Sequence, residues 1–244
     1  MKPDIMALWD SPRQREAYDW FTVELANLRT AFRWAADHGD LDVAAAIATY
    51  VGWLGVGVEN HEPTAWAEEL IEPAHVADHP RLAFLYVIAS MCYTTGRIEA
   101  AVGYSDAGQI VLGRSRNAPP HGTEAWLGAV YLAIGQPDRL AELCRAQLAC
   151  RRDTHVYIRS WLVSALSVAG SGVEAMDCAD GLIEAAEATG NPAVLTFALA
   201  AYGSAVRDAD PVRGAERPRP GSGDRSRLRQ PRQRVNPGGE SGTT

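Results

Sequence analysis

Lysine is almost missing from this chain. Lys2 is the only lysine among 244 residues, so arginine supplies every other fixed positive side-chain charge. A Walker A loop needs a lysine ammonium group beside a glycine-rich turn to reach the phosphates of a nucleotide. Lys2 precedes Pro3 and belongs to no such turn. The sequence therefore predicts that the chain does not bind ATP.

Cysteines and long hydrophobic runs are also scarce. The most apolar stretch, 43–58, is interrupted by three glycines and falls short of the ~18 uninterrupted residues of a membrane span. No basic segment followed by an apolar one marks a signal peptide near the N-terminus. Four cysteines occur without any Cys-x-x-Cys pair: Cys92, Cys144, Cys150 and Cys178. Since this usage is typical of a reducing compartment, we expect a cytoplasmic protein.

The charges are unevenly distributed along the chain. The formal net charge is −7, although residues 212–244 contain eight arginines and only three acidic residues. The remainder is therefore more acidic than the total indicates. An acidic surface repels phosphate backbones, so the folded part is not expected to bind nucleic acid.

Glycine-centred turns recur between apolar, alanine-rich runs. They lie at Gly39, Gly96, Gly135 and Gly170, and the last three are 39 and 35 residues apart. This spacing is close to the period of stacked helix–turn–helix repeats. No segment alternates apolar and polar residues long enough to indicate a strand. The sequence predicts an all-α fold, an α-solenoid of stacked antiparallel helix hairpins (tetratricopeptide-like) with a disordered C-terminal tail.

Three segments are expected along the chain. A disordered leader over 1–10 precedes a helical-repeat domain over 11–207, which a disordered Arg/Pro/Gly-rich tail follows over 208–244. After Pro211 very few large apolar residues remain. Such a segment cannot bury enough surface to offset the entropy cost of ordering it.

Several helix ends can be read from capping residues. Ser11 is expected to cap the first helix, Asp40 the second, and Asn191 a last helix that extends to Val206. Glycines are expected to end the second helix near Leu54. The seven tryptophans fall mostly in helical runs and are expected in the core, with Trp9 as the exception: Trp9, Trp20, Trp34, Trp53, Trp66, Trp126 and Trp161.

One motif resembles a known family. Residues 24–35, read as Glu-Leu-Ala-Asn-Leu-Arg-Thr-Ala-Phe-Arg-Trp-Ala and followed by Gly39-Asp40, resemble the start of the helical-repeat region in actinobacterial LuxR-type and signal-transduction ATPase regulators, some of them linked to adenylate cyclase. Residues 66–70 and 93–101 are similar to the same family. The resemblance implies a tetratricopeptide-like sensor or scaffold region of a transcriptional regulator. The motif residues are expected to be structural: Glu24, Asn27, Leu28, Arg29, Trp34, Gly39 and Asp40. Glu24, Asn27 and Arg29 are expected to cap, brace or face a neighbouring domain, with ligand binding as the alternative.

Three local groupings of polar residues are candidates for chemistry. His75 and His79 have a spacing that suits metal binding on a helix, but prolines confine them to a short connector without a third ligand. Ser160 and His155 lack any nucleophile signature. A solvated helix face accounts for the acidic group Glu68, Glu69 and Glu72. We therefore predict no catalytic, cofactor-binding or metal-binding residue and no cofactor.

These observations favour a non-enzymatic interaction or sensor module. It is expected to bind a protein partner or a small effector in the concave groove, and to be a fragment of a LuxR-type regulator without its ATPase and DNA-binding domains. Self-association through the C-terminal helix is also expected. Two alternatives stay open: a nucleic-acid-binding regulator that acts through the basic tail, and a hydrolase on a helical scaffold. No membrane contact is expected.

Overall fold

The computed structural model describes residues 4–114, 119–150, 153 and 155–209. Every regular element in these residues is helical and no strand occurs among them, so the predicted all-α class is confirmed. None of these helices has the length and apolar character that crossing a bilayer demands. The last described helix continues to Ala209, two residues into the tail predicted over 208–244, and the rest of that segment lies outside the described residues.

The helices follow one another with short connections. Two 3-10 segments, Met91–Thr95 and Pro120–Gly128, interrupt the series. The α-helices are α1 (Asp4–Trp9), α2 (Gln14–Asp37), α3 (Leu41–Gly57), α4 (Glu62–Val76), α5 (Leu82–Ser90), α6 (Ile98–Arg114), α7 (Ala129–Ala133), α8 (Pro137–Cys150), α9 (Tyr157–Val168), α10 (Gly172–Ala179), α11 (Leu182–Ala188) and α12 (Pro192–Ala209).

The four glycine turns predicted from the sequence are confirmed. Gly39, Gly96, Gly135 and Gly170 all have a positive φ, between 70° and 83°. A Cβ atom at any of them would meet nothing within 4 Å, so the backbone conformation and not lack of space selects glycine. Other residues lose about 1–2 kcal/mol in this left-handed region.

Helices that follow each other along the chain pack side by side. This holds from α2 through α6, and again for α8 with α9. α9 also packs on α10 and α12, so the chain folds back on itself at its C-terminal end. A single buried cluster draws residues from α1 through α12. The apolar stripes along each helix therefore contribute to one continuous core.

The N-terminal residues differ from the prediction. A disordered leader is predicted over 1–10, whereas Asp4–Trp9 form α1, which packs on α2. Ile5, Met6 and Trp9 lie on one face of this helix and are buried. Trp9, predicted as the exception to core packing, is only 1% exposed. The prediction is wrong here because the three large apolar side chains of this short helix are buried in the common core.

Two capping predictions are confirmed and one is wrong. The Asp40 side chain accepts a hydrogen bond from the Val43 backbone N–H at the start of α3, and Asn191 caps α12. Ser11 does not cap α2, which begins at Gln14. Its hydroxyl instead accepts from the Arg13 backbone N–H in the preceding turn.

The glycines of α3 have a different role from the one predicted. They do not end the helix near Leu54, since α3 continues to Gly57. A Cβ atom on Gly52 would lie 2.5 Å from Ile88 Cγ2, and one on Gly57 would lie 2.5 Å from the Tyr18 ring. These glycines let neighbouring elements approach α3 closely, which outweighs their low helix propensity.

We predict opposite effects of two glycine-to-alanine changes. Gly52→Ala should lower the free energy of unfolding by about 1–3 kcal/mol, because the stiff, buried Ile88 side chain cannot move away. Gly103→Ala, in the exposed middle of α6 where a Cβ meets nothing within 4 Å, should raise it by up to about 1 kcal/mol. Urea unfolding followed by circular dichroism measures both, and a stabilising Gly52→Ala would contradict the close packing of α3 on α5.

Candidate functional site

A cavity of about 400 Å³ lies where the two ends of the described chain meet. α1, α2 and α3 supply one part of its wall, and α9 and α12 supply another. The wall is mostly apolar and aromatic, and its lining residues are Trp9, Gln14, Tyr18, Trp53, Val56, Gly57, Trp126, Tyr157, Pro192, Ala193, Thr196, Phe197 and Ala200. Its size and apolar character are those of small-molecule sites.

The aromatic rings of this wall pack against one another, edge to face around Trp53 and tilted around Phe197. Trp53 is central, because its ring centroid lies 5.6 Å from those of both Trp9 and Trp126. Trp126 lies 5.2 Å from Phe197, and Tyr157 lies 5.7 Å from Phe197. Such pairs add about 0.5–1.5 kcal/mol each to the burial of their area. The wall is therefore a rigid surface of ring edges and faces, suited to a planar apolar molecule.

A few polar atoms accompany these rings. The indole N–H of Trp9 donates to the hydroxyl of Tyr18 at 3.1 Å. The indole N–H groups of Trp53 and Trp126 are buried and have no hydrogen-bond partner within the described part of the chain. An unpaired buried donor costs about 1–3 kcal/mol, so an acceptor that reached either indole would relieve that cost.

Next to the cavity, three side chains from distant parts of the chain form a polar cluster. Asp10 follows α1, His121 lies in the 3-10 segment Pro120–Gly128, and His155 precedes α9. Nε2 of His155 lies 2.9 Å and 3.0 Å from the two carboxylate oxygens of Asp10. Nδ1 of His121 lies 3.2 Å from Oδ2 of Asp10. One ligand atom from each residue fits within 4.8 Å of the others, so these three residues can hold a metal ion.

A buried amide network fixes the carboxylate of this cluster. Asn191 Nδ2 donates to Asp10 Oδ1 at 3.0 Å. Gln14 Nε2 donates to Asn191 Oδ1 at 2.7 Å and to the Trp9 carbonyl at 3.1 Å. The same Asn191 oxygen accepts the backbone N–H groups that begin α12. One side chain thus caps a helix and orients Asp10.

Burial and charge act against each other on the titration of the cluster. Burial alone raises the pKa of Asp10, but the hydrogen bond from Asn191 and the charge of His155 hold that pKa below its ordinary value overall. Burial lowers the pKa of His121, and the nearby Asp10 charge only partly offsets this effect. Near neutral pH the cluster therefore contains a carboxylate and a neutral His121 imidazole.

Both loops that carry the histidines have unusual backbone conformations. His121 has φ 59°, and Val156, next to His155, has φ 50°. A left-handed β-branched residue is rare, and such residues cost of order 1–3 kcal/mol each. Asp153 stabilises the second loop by accepting the backbone N–H groups of Ile158 and Arg159.

The motif residues 24–40 lie away from this site. Asn27 donates to Glu24 on the same exposed helix surface. Arg29 makes two hydrogen bonds of 2.6 Å to Glu62 and so links α2 to α4. Leu28 is buried in the core, whereas Trp34 is 58% exposed and stacks on His38. Gly39 has a left-handed backbone and Asp40 caps α3, so these two residues form the connection between α2 and α3.

The other groupings singled out in the sequence are used in local contacts. His79 Nε2 lies 2.9 Å from Asp42 Oδ1, and His75 is exposed. The Ser160 hydroxyl donates to the Val156 carbonyl within α9. Glu69 pairs with Arg33 of α2, and Glu68 pairs with Arg97 in the turn before α6.

No family model matches this chain, and neither curated proteins nor solved structures yield a significant match. The resemblance to LuxR-type regulators stays a prediction from the motif alone.

Sequence reasoning missed the cluster as a unit. It named His155 only beside Ser160, and it placed Asp10 in the leader. The three residues are far apart in the chain and share no local spacing. The one usable signal was Asn191, which the sequence identifies as a cap but not as a partner of Asp10.

We predict that Asn191→Ala destabilises the protein more than Asp40→Ala, although both remove a helix cap. Loss of either cap should cost about 1 kcal/mol. Asn191→Ala also removes the hydrogen bond that buried Gln14 donates to Asn191 and the one that Asn191 donates to Asp10, for about 1–3 kcal/mol more. Thermal and urea unfolding of the two variants provide the comparison, and equal losses would mean that the amide network contributes nothing to stability.

Proposed function

We propose that the chain is a binding module that holds a small, planar, apolar molecule in the aromatic cavity. The proposal rests on the wall of this cavity, which is lined by five aromatic side chains: Trp9, Trp53, Trp126, Tyr157 and Phe197. Aromatic faces and edges attract flat rings by stacking and edge-to-face contact. A rigid wall also loses little conformational entropy when it binds.

The size of the cavity favours a small effector over a protein partner. About 400 Å³ accommodates two or three fused or linked rings. A protein partner usually needs an interface of about 800 Å² on each side, which is far more than this recess offers. The polar groups on the wall, Gln14, Tyr18 and Thr196, are few and suit orientation of one polar substituent.

The lining also supports a binding role over a catalytic one. In the described part of the chain, the residues that line the cavity include no carboxylate, imidazole or thiol. A nucleophile or general base for hydrolysis would have to come from such groups. Tyr157, whose ring is stacked on His155, is a poor proton donor or acceptor near neutral pH because burial raises its pKa.

The proposal includes the architecture and family context predicted from the sequence. Helix pairs that pack in chain order and left-handed glycines at repeat-like spacing support a solenoid of antiparallel hairpins. The motif over residues 24–35 supports a sensor region of a LuxR-type regulator. In that setting, an effector in the cavity would be sensed through the helices that meet around it.

The experiment uses N-phenyl-naphthylamine, whose fluorescence rises in apolar surroundings. For a molecule of this size, ligand efficiency leads to dissociation constants of roughly 10–200 µM. Ala200 lines the cavity and is exposed at its edge. We predict that Ala200→Trp weakens probe binding about tenfold or more, because the indole occupies the space that the probe needs.

Leu199→Trp is the matched control. Leu199 precedes Ala200 on α12, is 49% exposed and does not line the cavity. The same indole at this position should leave the probe affinity within about twofold. Equal affinities for wild type and Ala200→Trp would contradict the proposed site.

A further inference from the structure

We propose that Asp10, His121 and His155 form a binding site for one divalent transition-metal ion of the zinc class. None of its three ligands lines the cavity, so this proposal does not rest on the proposed function. The site brings together a carboxylate and two imidazoles from three parts of the chain that lie far apart in the sequence.

The spacing of the ligand atoms suits such an ion. In a tetrahedral site with bonds of about 2.1 Å, two ligand atoms lie roughly 3.4 Å apart. Oδ2 of Asp10 lies 3.0 Å from Nε2 of His155 and 3.2 Å from Nδ1 of His121, and one ligand atom from each of the three residues fits within 4.8 Å of the others. The two Asp–His separations are within a few tenths of an ångström of this value, so small side-chain movements bring the three atoms onto one coordination sphere.

The ligand types define the class of metal. Two imidazoles and one carboxylate suit zinc and the neighbouring first-row metals, whereas magnesium and calcium prefer oxygen ligands alone. Three protein ligands leave at least one coordination position for water or another small ligand. The three side chains are 14–24% exposed, so an ion can enter from solvent.

The surroundings resemble the outer shell that metal sites use. Asn191 donates to Asp10 Oδ1 and is itself held by Gln14; hydrogen bonds of this kind orient the carboxylate ligands of metal sites. The ring of Trp9 lies 5.4 Å from that of His121, and Tyr157 is stacked on His155. The left-handed conformations of His121 and Val156 show that both loops are held in place against a conformational cost.

A second Asp–His pair in the same chain provides an internal comparison. His79 and Asp42 make one hydrogen bond of 2.9 Å, similar to that between His155 and Asp10. Among the described residues, only Asp10, His121 and His155 bring three possible ligands together. If an Asp–His contact alone attracted metal, both places would bind it equally.

The test is a titration of the tag-free full chain, stripped with a chelator, with Zn²⁺ against a chromogenic zinc indicator. We expect one ion per chain with a dissociation constant of about 1 µM or lower. Co²⁺ in the same site should give the visible absorption bands of a four- or five-coordinate nitrogen–oxygen complex. Zn²⁺ should also raise the thermal midpoint, because it binds the folded chain alone.

Asp10→Asn and His121→Ala should each weaken zinc binding roughly 100-fold and abolish the cobalt bands, since each removes a ligand. His79→Gln is the control and should leave both readouts unchanged. Circular dichroism of each variant shows whether it folds. The wild-type titration tests the proposal even if a variant does not fold. Wild-type protein that binds no stoichiometric ion would overturn the proposal. A His79→Gln change that weakens binding as much as His121→Ala would overturn it as well. Probe binding to the cavity, measured in chelator, is independent of these results.

Discussion

A buried amide pair joins the two ends of the described chain. Gln14 and Asn191 are 177 positions apart, yet the side-chain N–H of one donates to the side-chain oxygen of the other at 2.7 Å. Both are almost fully buried, so neither can exchange its partner for water without cost. Asn191 also caps α12. The start of α12 and its placement beside the α1–α2 turn therefore depend on the same side chain.

The candidate sites both depend on this closure. Trp9 and Tyr18 enter the cavity wall from the N-terminal side, and Phe197 enters it from α12. Asp10 receives its hydrogen bond from Asn191 only when these two ends meet. A row of hairpins whose ends stayed apart would contain the same helices but would form neither the complete aromatic wall nor the oriented carboxylate. Local helix stability is thus necessary for these sites but does not produce them.

The sequence predicts what local rules determine. Left-handed turns at glycines such as Gly96 and Gly170, and the caps at Asp40 and Asn191, follow from backbone sterics and from unsatisfied N–H groups within a few residues. The burial of Trp9 and the cluster do not follow, because they depend on residues far away in the chain, such as Trp53 for Trp9 and His121 and His155 for Asp10. His121 is the hardest to foresee, since its left-handed backbone is a property that tertiary contacts impose against its own preference.

Two aromatic rings connect the cavity with the polar cluster. Trp9 lines the cavity and touches His121, while Tyr157 lines the cavity and stacks on His155. Closely packed rings do not move independently, so a ligand that shifts either ring at one site changes its contacts at the other. Any such coupling is reciprocal: whatever factor an ion at the cluster applies to affinity in the cavity, a molecule in the cavity applies to the affinity for the ion. The loops of His121 and Val156 would contribute to that coupling, because their left-handed conformations persist only while the surrounding contacts hold them.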